Sequence, residues 1–348
     1  MLKVLHLLQS NRFSGAENVV CQIISMMKDN PDIEMVYCSR DGEIREALKE
    51  RNIKFLPISN LKVSEVKRVI REYNPDVIHA HDFNAAFNAA LVCGKKLLVV
   101  HVHFNDAKAR KLSVKSVASL IPILKAKHIF WVSESSLVQH RFKKAAIKKS
   151  QVLYNIIDID TLYKKMESDA NAYDFDVVYV GRLVYQKHPE RLIEVIAKAV
   201  QKKSDLKVAV VGNGALEETT KKLATEMNLE KNITFFGFQS NPLKILYSSK
   251  LMLMTSRYEG TPMCALEAMA LGVPIVTTPT DGLCDLVDDG ENGYISDENS
   301  VLSEKLIRIV SNTSLRESFS KNAYIKCNAL CNIENYCDKI IAAYKNKD

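Results

Sequence analysis

Glu259 and Glu267 lie in EGTPMCALEAMALGVPIV (259–276), around the point where the sequence predicts a helix to begin. Thr261 is expected as its N-cap and Pro262 as its first helical residue, where the missing N–H costs nothing, and Gly272 and Pro274 end it. A helix start leaves unpaired amides that attract an anion, here those near Met263 and Cys264. Arg182 and Lys187, in GRLVYQK after an apolar run, can aim two positive charges at the same place. Donors converging in this way suit a diphosphate better than a lone carboxylate. A glutamate beside a diphosphate is repelled by it, so both acids make sense only if they accept hydrogen bonds from hydroxyls attached to that diphosphate. A nucleotide sugar carries hydroxyls on both sides. At about 1.5 Å rise per residue, Glu267 lies roughly 7 Å along the helix from Pro262, far enough to reach a ribose while Glu259 reaches the sugar.

The elements that must position these groups repeat one plan. LKVLHLL (2–8) leads through QSNRFSG into AENVVCQIISMMK, where Val19, Val20, Ile23, Ile24 and Met27 follow helical spacing. Further apolar runs follow at 34–38, 76–80, 96–102 and 128–133, with helix-like segments between the earlier ones, a pattern that predicts a mostly parallel sheet covered by helices. DFDVVYVGRL (174–183) restarts it, and KVAVVG, ITFFG, LMLMTS and VPIVTT continue it. The predicted fold class is therefore α/β, with two Rossmann-like, doubly wound domains whose strand ends face a shared cleft. Residues 155–173 lack strong periodicity and are expected to be the linker. Domain boundaries are expected at 1–165, 166–325 and, for a last helix, 326–348.

With about half its 348 residues apolar and a quarter charged, the chain has the composition of a soluble protein able to build two cores. No signal peptide or apolar run of membrane-spanning length is read in it, so a cytoplasmic location is expected. The eight cysteines show no paired zinc-knuckle spacing and read as reduced core residues; Cys327 and Cys331 are four apart on a predicted helix. Net charge is uneven, +11 for residues 1–165 and −4 for 166–348. Between Lys108 and Lys149 eleven basic residues face only Glu134 as an acid. That cluster suits an anionic membrane surface, a phosphorylated acceptor or nucleic acid, or else is a solvated face. Few aromatics interleave with it and the second half is acidic, which argues against a nucleic-acid track.

GRLVYQKHPERLIEV and EGTPMCALEAMALGVPIVTT together resemble the donor site of family 4 glycosyltransferases of the GT-B fold. The resemblance continues through SGAENVV, PDVIHAHD (75–82), VVHVHF (99–104) and DGLCDLVDDGENGYI (281–295), over almost the whole chain. It implies a retaining, metal-independent enzyme that uses a nucleoside-diphosphate sugar, a UDP-sugar ahead of a GDP-sugar, with no cofactor. Arg182 and Lys187 would hold the diphosphate, Glu259 the transferred sugar and Glu267 the ribose. Gly260, Thr261, Pro262 and Met263 would add backbone contacts, Phe238 would lie against the base, and Gly212 and Gly214 would let the nucleotide approach. Where the family has an Asn-Gly turn this chain has Asn155-Ile156. The last helix would cross back onto the first domain.

In the first half, SGAE at 14–17 reads as a capping box, Ser14 to the amide of Glu17. The family's version of this loop has two glycines near the donor phosphate; Gly15 matches the second and the first is serine here. His79 and His81, like His101 and His103, alternate along a strand, so each pair points to one side. No acid-and-histidine cluster is seen beside them, so no metal site is expected. The resemblance aligns His103 with a histidine near the sugar, with His101 as the fallback. Asp82 and Asn105, near predicted strand ends, are the candidate acceptor contacts. The acceptor class expected is a glycan or lipid-linked glycan in cell-surface polysaccharide biosynthesis, with peripheral contact to an anionic membrane. The alternative is a non-catalytic nucleotide-sugar-binding or scaffold protein of the same fold. A glycosidase would also use two carboxylates, but not the cations and helix start aimed between them.

Overall fold

The computed structural model describes residues 1–103 and 107–345, so Asn105, one of the expected acceptor contacts, lies outside the described residues. The chain divides into two compact units, Met1–Ile156 with Asn332–Asp348, and Ile157–Cys331.

The first unit holds a seven-stranded parallel sheet of β1 (Leu2–Leu7), β2 (Ile33–Arg40), β3 (Phe55–Ile58), β4 (Val77–His81), β5 (Leu97–Val102), β6 (His128–Trp131) and β7 (Ser150–Val152), in the order 3-2-1-4-5-6-7. Alternation along the strands sorts the two faces. Leu5, Leu7, Ile78, Ala80, Val100 and Val102 enter the main apolar core, so His6, His79, His81, His101 and His103 point to the other face. That face is packed by the Ile333–Lys345 helix, whose Tyr344 hydroxyl lies 2.7 Å from His79 Nδ1.

The second unit holds β8 (Phe175–Val180), β9 (Val208–Val211), β10 (Ile233–Gly237), β11 (Ser249–Met254), β12 (Ile275–Thr277) and β13 (Gly293–Ile295), all parallel, in the order 10-9-8-11-12-13. Both sheets reverse their strand order once, at β1/β4 and at β8/β11, and the carboxyl ends of strands at such a reversal are where doubly wound sheets take ligands. The expected α/β class with two Rossmann-like sheets is therefore the observed one.

Two local expectations need correction. The segment 155–173 is not a bare linker: Asp158 accepts from the Thr161 amide at 3.0 Å and caps a helix over Ile159–Glu167, so the expected boundary at 165/166 falls inside a helix of the second unit. Its apolar contacts are only Leu162 and Met166, too few to register as a periodic run. The helix after Glu259 starts one residue later than expected, at Met263 with Pro262 as N-cap, because Pro262 has ψ 125°, outside the helical range.

That helix ends as its sequence predicts. Gly272 has φ 67°, its N–H donates to Met269 O at 3.0 Å, and the Val273 N–H donates to Ala268 O at 2.8 Å, the paired bonds of a Schellman cap. A Cβ at Gly272 would also stand 2.7 Å from Ser320 Oγ, on the helix packed against it. Gly272→Ala is expected to destabilise the second unit by more than about 1 kcal/mol, seen as a lower thermal midpoint.

Candidate functional site

The chain leaves β8 as Gly181-Arg182-Leu183, makes a 3-10 turn at Tyr185–Lys187, and enters the Pro189–Val200 helix through His188, a non-glycine residue held at φ 52°. Next to it the chain leaves β11 as Thr255–Gly260. The two exits are laced together: the Arg257 amide donates to Gln186 O at 2.8 Å, Gln186 Nε2 to Tyr258 O at 3.1 Å, and Thr255 Oγ1 to His188 O at 3.1 Å. This lacing sets two of the predicted residues against one another. Lys187 Nζ lies 2.5 Å from Glu259 Oε1, which also accepts from Ser256 Oγ at 2.6 Å, and the two charged side chains are 13% and 5% exposed. Burial alone would lower the Lys187 pKa, but the Glu259 carboxylate and its hydrogen bond, with Cys264, outweigh it and hold the ammonium above its ordinary range.

The carboxylate near the helix start is thus neutralised before any ligand arrives. Lys187 has three N–H donors and spends one on Glu259, so two remain for an incoming anion. Arg182 is exposed, and its guanidinium makes no hydrogen bond or ion pair among the described residues. The Met263–Ala270 helix begins beside the pair; its first two amides, of Met263 and Cys264, have no intrahelical acceptor. Gly260 and Thr261 are buried in the loop between, and Thr261 is engaged. Glu267 is on the same helix, partly buried, and burial pushes its carboxyl up to about 7, with Lys165 opposing. Phe238 follows β10 with its ring 69% exposed.

Gly212 and Gly214 have a structural reason to be glycine. A Cβ at Gly212 would lie 2.0 Å from the Gly181 carbonyl oxygen, and one at Gly214 2.4 Å from that of Leu183, because the β9 exit crosses closely over the β8 exit. The nucleotide contact expected of them is an addition to that role. Gly282 was not singled out from the sequence and is tighter still: its Cβ would meet the Gly260 oxygen at 1.5 Å. It seats the loop that carries Gly260 and Thr261.

In the first unit Gly15 opens the Gly15–Met26 helix, and a Cβ there would meet nothing within 4 Å. The expected capping box is replaced by a side-chain pair, the Ser14 hydroxyl donating to the Glu17 carboxylate. Asp82 follows β4 with φ 65°, a strained position for a residue with a Cβ, and its Oδ1 accepts from the His103 amide at 2.8 Å. It borders a cavity of about 390 Å³ with Phe83, Asn84 and Phe87. His103 is buried at the end of β5 beside His81, and His6, which the sequence reading passed over, joins the same row.

Residues 13–161 match the family described as Glycosyltransferase Family 4, and residues 163–326 match Glycosyl transferases group 1. The chain belongs to the family 4 glycosyltransferases. An uncharacterized glycosyltransferase of Methanocaldococcus jannaschii is 24% identical over 78% of this chain and 80% of its own length. The UDP-Gal:alpha-D-GlcNAc-diphosphoundecaprenol alpha-1,3-galactosyltransferase of Escherichia coli is 25% identical over 99% and 96%. HepE of Anabaena, solved with UDP-glucose, superimposes with a TM-score of 0.83 at 22% identity over 98% of this chain and 99% of that one, a likeness that gives the GT-B fold.

Within this glycosyltransferase, Glu267 has a measurable signature. Its folded pKa of about 7 exceeds the ordinary 4.5, so the folded state holds an extra proton between those values. The stability it contributes is complete below pH 4.5 and is lost as pH rises to 7. Glu267→Gln is expected to flatten the fall in thermal midpoint across that window; an unchanged slope would mean that Glu267 titrates elsewhere.

Proposed function

We propose that this glycosyltransferase is a retaining enzyme that moves a sugar from a UDP-sugar to a glycan or lipid-linked glycan acceptor. The observation that carries the reading is the convergence of Lys187, Arg182 and the start of the Met263–Ala270 helix at the β8/β11 reversal, with Glu259 and Glu267 as the flanking acids. A pyrophosphate there takes the two remaining Lys187 donors, the Arg182 guanidinium and the helix amides. Glu259, oriented by Ser256 and Lys187, keeps Oε2 for sugar hydroxyls, and Glu267 accepts from the ribose. Phe238 offers an apolar face to the base. His103 donates to the sugar, and Gly15, whose lack of a side chain no protein contact requires, lets the phosphate come close. Asp82 stands beside the acceptor, in a cavity whose amide and aromatic lining suits a saccharide.

In the reaction the bond from the sugar's anomeric carbon to the phosphate oxygen breaks, and one to an acceptor oxygen forms on the same face. The acceptor's proton passes to the departing phosphate, and Lys187 and Arg182 stabilise the charge on that leaving group. UDP is favoured because HepE, of the same fold, is solved with UDP-glucose, and a relative spanning nearly the whole chain is named for a UDP-sugar and a diphosphoundecaprenol-linked acceptor. A lipid-linked acceptor also gives the first unit's charge a use. The Val114–Lys125 helix turns Val114, Val117, Ile121 and Leu124 outward, 90%, 49%, 40% and 69% exposed, at a spacing that makes one stripe amid the lysines. No described helix is long and apolar enough to cross a membrane, so this contact is peripheral.

Three measurements check the proposal. Glu259→Gln, which keeps the shape of the side chain, should cut transfer by about 100-fold or more with the fold retained. Arg182→Ala should weaken binding of UDP-sugar, and unchanged turnover in both variants refutes the site. In flotation with vesicles, Val117→Glu with Ile121→Glu should abolish recovery on anionic lipid; equal recovery with neutral and anionic vesicles removes the membrane contact.

A further inference from the structure

The two cysteines that stand four apart near the end of the sequence fall at a junction of the chain. Ile157 is where the chain enters the second unit and Cys331 is where it leaves, and the Ile157 amide donates to Cys331 Sγ at 3.5 Å. Cys327, one turn earlier on the Thr313–Leu330 helix, is buried, and its Sγ lies 3.7 Å from that of Cys331. Cys327 Sγ also donates to Leu266 O at 3.5 Å, on the Met263–Ala270 helix that carries Glu267. The two sulfurs thus tie the first and last residues of the second unit to the helix of its candidate donor site.

Their surroundings make the two thiols unequal. A carbonyl oxygen beside Cys327 accepts an S–H and repels a thiolate, whereas an amide N–H beside Cys331 favours the thiolate. The hydrogen bond from Cys327 lowers the Cys331 thiol below its ordinary range, burial opposes and the Ile157 amide adds to the lowering; the same sulfur contact and burial raise Cys327. Cys331 is also the half-buried member of the pair and Cys327 the buried one. An accessible, thiolate-prone sulfur touching a second thiol is the arrangement of a redox-sensing pair.

The backbone allows the pair to close. Four residues of helix separate the Cα atoms by roughly 6 Å, within the range of about 4.4–6.8 Å that disulfides span. The Cβ atoms of such a pair stand about 5–6 Å apart and must come to about 4 Å, so one end has to move. Cys331 is that end: it is the C-cap, with φ −88° and ψ 44°, outside the helical range, and its own N–H to Cys327 O at 2.9 Å is the bond that closes the helix. A disulfide that bends the last turn is strained, and a strained disulfide is readily reduced again.

We propose that Cys327 and Cys331 are a reversible thiol–disulfide pair, oxidised by hydrogen peroxide, whose closure releases the Ile157 amide and weakens donor binding at the neighbouring helix. The Cys331 thiolate attacks one peroxide oxygen, the O–O bond breaks, hydroxide leaves and a sulfenic acid forms. The Cys327 sulfur then attacks the sulfenic sulfur, the S–S bond forms, and the sulfenic oxygen departs with the Cys327 proton as water. Two electrons pass from the sulfurs to the peroxide, and a dithiol returns them. On closure Cys331 Sγ moves away from the amide of Ile157, a buried residue that then lacks its acceptor, and Cys327 loses the proton that it donates to Leu266. The effect on donor binding rests on the reading of the Met263–Ala270 helix as part of the donor site; the disulfide itself does not.

The test treats the full chain with hydrogen peroxide, alkylates the remaining thiols and maps the peptides by mass spectrometry. Cys327, Cys331 and Cys337 share one tryptic peptide, so fragmentation assigns the link. The expected result is a loss of two hydrogens between Cys327 and Cys331 with Cys337 alkylated, a lower thermal midpoint and a donor KM raised roughly 5-fold or more, all reversed by dithiothreitol. Cys331→Ser, whose hydroxyl can still accept from Ile157, should show the KM of the reduced enzyme and keep it under peroxide. Alkylation of both Cys327 and Cys331 after peroxide, or a link to Cys337 in their place, overturns the proposal. So does an equal rise in KM in Cys331→Ser, which puts the sensitive thiol elsewhere, or a disulfide that leaves midpoint and KM unchanged. If the reduced protein binds no UDP-sugar at all, the donor reading falls by itself, and the peptide map and thermal midpoint still decide the pair.

Discussion

A buried ammonium and a buried carboxylate cannot be left apart, and the second unit of this glycosyltransferase is arranged around that constraint. Lys187 and Glu259 come from the exits of two different strands and meet at 2.5 Å with almost no access to water. Removing one partner of such a pair strands the other, at a cost of about 3–5 kcal/mol, so the lacing of the β8 and β11 exits and the pair hold one another in place. The pair also explains why an acid stands next to the positive end of a helix. Glu259 is committed first to Lys187 and Ser256, and a ligand meets an arrangement with net positive character, supplied by Arg182, the spare Lys187 hydrogens and the helix amides.

Much of this was legible in the residues. The restart of the strand pattern at DFDVVYV, the Schellman end at Gly272 and the helix opened by Pro189 follow from local rules that the structure obeys. What was not legible depends on distant parts of the chain. Nothing local says that Lys187 and Glu259 touch, since the contact is made by strand order. Gly212 and Gly214 looked like ligand glycines, while the close crossing of two backbones already demands them. Gly282 stood inside a motif but gave no sign that it packs on Gly260. The short strands β3, β7 and β13 carry too few residues to show a period.

His6 illustrates the same limit. It sits in LKVLHLL as one polar residue in an apolar strand, and alternation gives only the face it shares with its own neighbours. That it continues the His79–His81 row requires β1 to lie beside β4, a pairing across some seventy residues. Each unit therefore gathers buried polar groups at its reversal of strand order, the histidine row at β1/β4 and the Lys187–Glu259 pair at β8/β11.

The central claim is that the second unit's site recognises a pyrophosphate. Calorimetric titration of the full chain with uridine and with UDP under identical conditions tests it most directly. The account predicts that UDP binds at least about 100-fold more tightly than uridine, close to 3 kcal/mol, and that Lys187→Ala with Arg182→Ala erases most of the difference. Equal affinity for the two ligands, or a preference for UDP that survives loss of both cations, would contradict it.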